Sequence, residues 1–142
     1  MLKQISHIGA KMEYSESQEM YLKAIYQLSL ATNKVRKIDI AKELGLSKSS
    51  VTNAISKLIL TGMVKMDDNN NIVLTEQTLE HAKQLYTRYT TFYKLLVSQG
   101  ISQDKAKDIA CKLEHAVDDE VFELIAKKTK PTDNSTLSEQ RI

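Results

Sequence analysis

Apolar residues recur at helical spacing in three stretches of the first half of the chain. Met20, Tyr21, Ala24, Ile25 and Leu28 form the first stripe, with Ser17 in front of it as a candidate cap. After the polar break TNK, the stretch IDIAKELG carries Ile38, Ile40, Ala41 and Leu44 and ends at Gly45, a residue suited to a left-handed C-cap. Three residues later, Ser47 is a natural N-cap for SKSSVTNAISKLILTG, whose apolar face is Val51, Ala54, Ile55 and Leu58 and whose stop is Gly62. The pattern then changes. VKM and NIVLT read as short strands, joined by DDNNN, a turn in which Asn tolerates left-handed positions.

Helical spacing returns at Thr75. LEHAKQLYTRYTTFYKLLVSQG places Leu79, Ala82, Leu85, Phe92, Leu95 and Leu96 on an apolar face and ends at Gly100. A further helix is expected from Ser102, carrying ACKLEH and continuing without a break through VDDEVFELIAKK. Helix, short turn with Gly, helix and small β-hairpin is the order of a winged helix-turn-helix. The expected architecture is therefore mostly α: an N-terminal extension over 1–14, a winged helix-turn-helix DNA-binding domain over 15–75, and a helical dimerisation and sensing domain over 76–128. The polar residues 129–142 are expected to be disordered.

Composition agrees with a helical chain, because 142 residues contain only 4 Gly and 1 Pro. No apolar run approaches the roughly 20 residues that span a bilayer, and the opening MLKQISHIGAKMEY lacks the apolar core of a signal peptide, so a cytoplasmic protein is expected. The single cysteine, Cys111, has no internal disulfide partner; it is a buried apolar residue, a reactive thiol or a ligand. There is no H-E-x-x-H, no Gly-rich phosphate loop and no nucleophile elbow, so no enzyme chemistry is expected.

Net charge is only +2, but it is unevenly placed. Between Lys34 and Lys65, seven basic residues face only Asp39 and Glu43, a local surplus of five. Such a surplus is either a solvated helix face or the footprint of a DNA backbone. A major groove about 12 Å wide admits one helix, and the candidate is the one that starts at Ser47. Its polar front, Ser47, Lys48, Ser49, Ser50, Thr52 and Asn53, together with Arg36, Lys37 and Lys57, forms the expected DNA-binding set. Ser47 is expected to act chiefly as a cap, and Thr52 and Asn53 are the candidates for base edges. Asp67 and Asp68 put negative charge where a wing would meet phosphates. An acidic wing also suits a winged helix that binds protein instead of DNA.

Within ACKLEH, positions 111, 114 and 115 share one helix face, so a thiolate, a carboxylate and an imidazole project to the same side. They are either half of a metal site or a core cysteine with two unrelated neighbours. His7 and His81 are expected to be surface histidines.

The segments SESQEMYLKAIYQL, KIDIAKELGLSKSSVTNAISKL and DIACKLEHAVDDEV, in this order, resemble the iron-dependent (diphtheria toxin) repressor family and its manganese-responsive relatives over residues 15 to 128. The most specific marks are E-M-Y-L-x-x-I-Y and A-C-x-x-E-H followed by D-E-V. The resemblance implies a metal-activated homodimeric repressor that binds a palindromic operator and controls metal-uptake genes. It places the primary metal site on Met20, Cys111, Glu114 and His115, one site per subunit. The manganese branch has carboxylates at the positions of Met20, Lys23 and Cys111 and a histidine at Tyr89, none of which is present here. Soft sulfur donors therefore favour Fe²⁺, with Mn²⁺ possible. The family's ancillary ligands fall on Tyr89, Tyr93 and Lys107, so a second site is not expected, nor is the SH3-like C-terminal domain of larger members.

By this reading one ion ties the first helix to the sensing half, and metal shifts the population toward a conformer that presents both recognition helices. Affinity for metal should fall with pH, because Cys111 must be deprotonated and His115 neutral. The rivals are a metal-independent winged-helix regulator and a winged-helix protein-interaction module.

Overall fold

The structure is a computed structural model and describes residues 13–129. The tail from residue 130 and most of the extension, with His7, lie outside the described residues. The chain divides into two compact units, one ending at Lys83 and the other starting at Gln84.

In the first unit, α1 spans Glu16–Ala31, α2 Lys37–Leu44 and α3 Lys48–Leu60. The cap of α1 is Ser15 and not Ser17. Ser15 Oγ accepts from the Gln18 amide at 3.1 Å, and Gln18 Oε1 accepts from the Ser15 amide at 2.9 Å. This reciprocal box needs an acceptor side chain three residues after the cap, which Gln18 supplies for Ser15 but Met20 cannot supply for Ser17. Gly45 ends α2 in the left-handed region, φ 68° and ψ 35°, and lets the Leu46 amide reach the Ala41 carbonyl at 3.0 Å. Ser47 caps α3 as expected, accepting from the Ser50 amide at 3.1 Å.

Strands β1, Val64–Met66, and β2, Ile72–Leu74, pair antiparallel with Val64 opposite Leu74 and Met66 opposite Ile72. The Ile72 amide also bonds the Val35 carbonyl at 2.9 Å, which fastens the wing to the segment ahead of α2. Leu22, Ile25, Val35, Ile40, Val51, Ile55, Leu58, Val64, Ile72 and Ala82 close the core between the three helices and the hairpin. Leu79 and Ile38, both expected on apolar faces, are instead exposed. Thr78, at the start of α4 (Glu76–Ser98), donates its buried hydroxyl to the Met63 carbonyl at 2.6 Å, and Thr75 donates to that of Gly62 at 2.8 Å. These bonds fix where the chain leaves the wing.

The second unit holds the rest of α4 with α5, Gln103–Ala116, and α6, Asp119–Thr129. Buried Leu85, Phe92, Ala106 and Ala110 supply its apolar interior, and Phe92 meets Phe122 edge-on at 5.8 Å. The expected single helix through ACKLEHAVDDEV is broken. Val117 is extended, φ −103° and ψ 129°, and Asp118 begins a new helix by accepting the Val121 amide on its carboxylate at 2.8 Å. An Asp side chain competing for backbone amides and a β-branched residue before it favour that break over continuation.

Candidate metal centre and nucleic-acid interface

Helix α5 holds the three candidate donors in its last two turns. Ser102 starts the helix by accepting the Lys105 amide, and buried Ala106 and Ala110 set the face that turns inward. Glu114 continues that face one turn later and is completely buried; the His115 side chain is only 6% exposed, and Cys111 is half-buried. One ligand atom from each of Cys111, Glu114 and His115 lies within 4.8 Å of the others, and His115 Nε2 is 3.2 Å from Glu114 Oε2. Burying a carboxylate is costly unless a cation or a donor faces it. A thiolate, a carboxylate and an imidazole gathered out of water are the donors that a borderline divalent cation takes. Met20, the fourth residue named for the site, is half-buried on α1 in the first unit.

Several of the residues expected to meet nucleic acid line clefts on both flanks of α3. Arg36 and Lys37 at the head of α2 share an open cleft of about 510 Å³ with Lys48 and with Met66, Asn69 and Asn70 of the wing. Across the helix, Ser50, Asn53 and Lys57 line a second cleft of about 350 Å³ with Ser17, Gln18 and Tyr21 of α1. Ser47, Lys48, Ser49, Ser50, Asn53 and Lys57 are exposed, and Thr52 is half-buried. Ser47 Oγ is occupied by the Ser50 amide and hydroxyl, so it serves the helix start. Within this set the arrangement offers cations and short polar side chains along the exposed face of one helix, the form that a major groove accepts.

The wing differs from its charge-only reading. Asp67 is turned into the loop and accepts from the amides of Asn69 and Asn71, each at 2.9 Å, and from the Asn71 side chain at 3.3 Å. The Asn71 amide first, then the Asn69 amide and the Asn71 side chain, hold its carboxyl below the usual aspartate range against the opposing effect of desolvation. Asn70 takes the left-handed position, φ 63°, as expected of the turn. The D-x-N-x-N spacing was the available signal for this staple.

Three further placements escaped sequence reasoning. His81 is not a free surface histidine: its Nε2 lies 2.6 Å from Glu19 Oε2, and its ring stacks on Tyr14 at 4.4 Å. Burial, and then the Glu19 charge, push the Tyr14 hydroxyl above the ordinary tyrosine range. Lys23 is buried although it lies outside the apolar stripe read for α1. Tyr89 stacks on Tyr93 at 6.1 Å and lies 6.4 Å from Tyr86, so the two ancillary-site positions on α4 hold a ladder of rings, and Lys107 is exposed.

Comparison with known proteins bears on both surfaces. Residues 13–71 match the family model "Iron dependent repressor, N-terminal DNA binding domain", and residues 75–135 match "Iron dependent repressor, metal binding and dimerisation domain". An uncharacterised HTH-type transcriptional regulator of Methanocaldococcus jannaschii is 37% identical over 111 residues, covering 77% of this chain and 89% of that protein. The diphtheria toxin repressor of Corynebacterium diphtheriae is 26% identical over 121 residues, covering 84% of this chain and 54% of its own length. Among solved structures, the manganese regulator SloR superposes with a TM-score of 0.67 at 29% identity, over 82% of this chain and 54% of that one. The chain thus spans about half the length of these two better-characterised relatives.

Proposed function

The chain belongs to the iron-dependent repressor family, whose two domain models match it in succession, and on that premise we propose that its divalent cation is held by Cys111, Glu114 and His115. The family is one of DNA-binding, metal-dependent transcriptional repressors and not of enzymes, and its second domain binds metal and dimerises. One observation carries the proposal: three donors of suitable chemistry share 4.8 Å, with Glu114 wholly withdrawn from water and His115 nearly so. Met20 is the fourth donor on the strength of the E-M-Y-L motif. Two sulfurs in the set favour Fe²⁺ over Mn²⁺ at one site per subunit. When bound, the cation supplies positive charge facing the Cys111 thiolate and the Glu114 carboxylate.

Residues 15–75 form the DNA-reading part and residues 76–128 the sensing and dimerising part. Helix α3 enters the major groove, with Thr52 and Asn53 toward base edges; Ser49, Ser50, Arg36, Lys37, Lys48 and Lys57 face the phosphates, while Ser47 keeps the helix start in place. A two-fold dimer reads the two halves of a palindromic operator. The operator controls metal-uptake genes, and the protein acts in the cytoplasm where that DNA lies.

The test is anaerobic fluorescence anisotropy with a palindromic duplex taken from upstream of the protein's own coding sequence. Fe²⁺ and Mn²⁺ are titrated separately into wild type and Cys111→Ala. The expected outcome is a metal-dependent gain in affinity, greater with Fe²⁺, that Cys111→Ala loses. Tight binding indifferent to both metal and substitution would reduce ACKLEH to packing.

A further inference from the structure

The donors of α5 sit at the end of a helix, where order is least assured. Glu114 and His115 lie in the last turn, whose carbonyls have no helical partner further along the chain. Many helices solve this with a glycine in the left-handed region, but here the cap is extended Val117, and its amide bonds only back to the Leu113 carbonyl, at 3.2 Å. A further anchor comes from α4. Arg88 Nη1 donates to the Val117 carbonyl at 2.9 Å, while Nη2 pairs with the Asp119 carboxylate in the first turn of α6. The same guanidinium lies over the Phe122 ring, 5.7 Å from its centroid, and the Arg88 side chain is only 13% exposed. One side chain therefore holds the end of α5 and the start of α6, two residues beyond His115.

We propose that Arg88 is a positioning residue for the cation site, acting through the Val117 carbonyl to fix the turn that presents Glu114 and His115. This inference rests on the reading of Cys111, Glu114 and His115 as ligands. The guanidinium's planar array of donors suits the task, since one rigid group can serve a carbonyl and a carboxylate together while its face covers a ring. A lysine ammonium is a point donor and holds the same corner less firmly.

Anaerobic Co²⁺ titration of the full chain tests it, read through the thiolate-to-cobalt charge-transfer band and the d–d bands. Wild type is compared with Arg88→Ala, Arg88→Lys and Phe122→Leu. The last variant removes the ring beneath the guanidinium and loosens packing against Phe92, but leaves the Val117 carbonyl and the Asp119 carboxylate in place as acceptors. Arg88→Ala should bind Co²⁺ about 10–100-fold more weakly, the usual cost of losing a residue that orients a ligand. At saturation its d–d bands should also change in intensity, Arg88→Lys should recover part of the loss, and Phe122→Leu, which keeps both acceptors of Arg88, should lose much less than Arg88→Ala. Helix content by circular dichroism is followed in parallel; if Arg88→Ala does not fold, the comparison of Arg88→Lys with Phe122→Leu decides. Unchanged affinity and spectrum in the Arg88 variants would overturn the proposal, as would an equal loss in Phe122→Leu. A wild-type titration without the thiolate band would instead overturn the ligand assignment itself.

Discussion

The last two turns of α5 and the front of α3 both carry polar residues in a helical repeat, yet the protein treats them oppositely. On α5, Glu114 and His115 are withdrawn from water around Cys111. On α3, Lys48, Ser49, Ser50, Asn53 and Lys57 stay exposed, with two open clefts alongside. On the proposed assignment, the difference follows from the size of what each region would bind. A metal ion is satisfied by a few donors at fixed distances, and excluding water strengthens each of them. A DNA backbone is long and needs many weak contacts spread over an open surface. On that assignment the same helical spacing would serve a concentrated site in one unit and a distributed one in the other.

The largest effect should come from the concentrated site. Glu114→Gln keeps the shape of the buried side chain but removes its charge, and metal affinity should fall by more than about 100-fold, beyond the range for residues that only orient a ligand. Isothermal titration with Co²⁺ or Mn²⁺ measures it; a loss of only a few-fold would mean that Glu114 is a buried structural acid. The distributed site should respond more gently. Lys48→Ala and Lys57→Ala should each weaken operator binding across all sequences and lower the slope of log affinity against log salt by roughly 0.9. Slopes identical to wild type in both variants would remove these lysines from the phosphate contacts and with them the contrast between the two regions.

Legibility in the sequence divided along the same line. The end of α2 and the cap and face of α3 were readable because they depend on neighbours in the chain: Gly45, Ser47 and the Val51, Ile55 and Leu58 stripe act within one or two turns, whereas Ile38 of α2 was misplaced. The grouping of Cys111, Glu114 and His115 was readable as a spacing, since i, i+3 and i+4 positions share a face on any helix. What fixes that triplet was hidden, because Arg88 acts on Val117 and Asp119, 29 and 31 residues away in the chain. The pairing of His81 with Glu19 spans 62 residues and was hidden for the same reason, so His81 was read as a surface residue. The α5–α6 break was missed although both signals were local, because the apolar spacing through Val117 and Val121 continues smoothly and masks Asp118 as a cap.

The wing gives the smallest effect, and the one most specific to the exposed region. Asp67 is exposed, but its carboxylate accepts from three donors of its own loop, which compensate part of its negative charge before a phosphate could meet it. Those bonds favour the ionised carboxyl, so its folded pKa lies below the unfolded one. The stabilisation is then fully present above the ordinary aspartate pKa and is lost as pH falls through the lower, folded value. Near neutral pH the wing should be closed, and only below the usual carboxylate range should it open. Amide chemical shifts of Asn69 and Asn71, followed from pH 7 into acid by NMR, should move together with a midpoint below that of an ordinary aspartate. Asp67→Asn keeps a side-chain oxygen that accepts from the same amides but does not titrate, so it should abolish the movement. A midpoint at the ordinary value, or the same movement in the variant, would mean that Asp67 is free to meet phosphates, and the wing would then repel the DNA that α3 attracts.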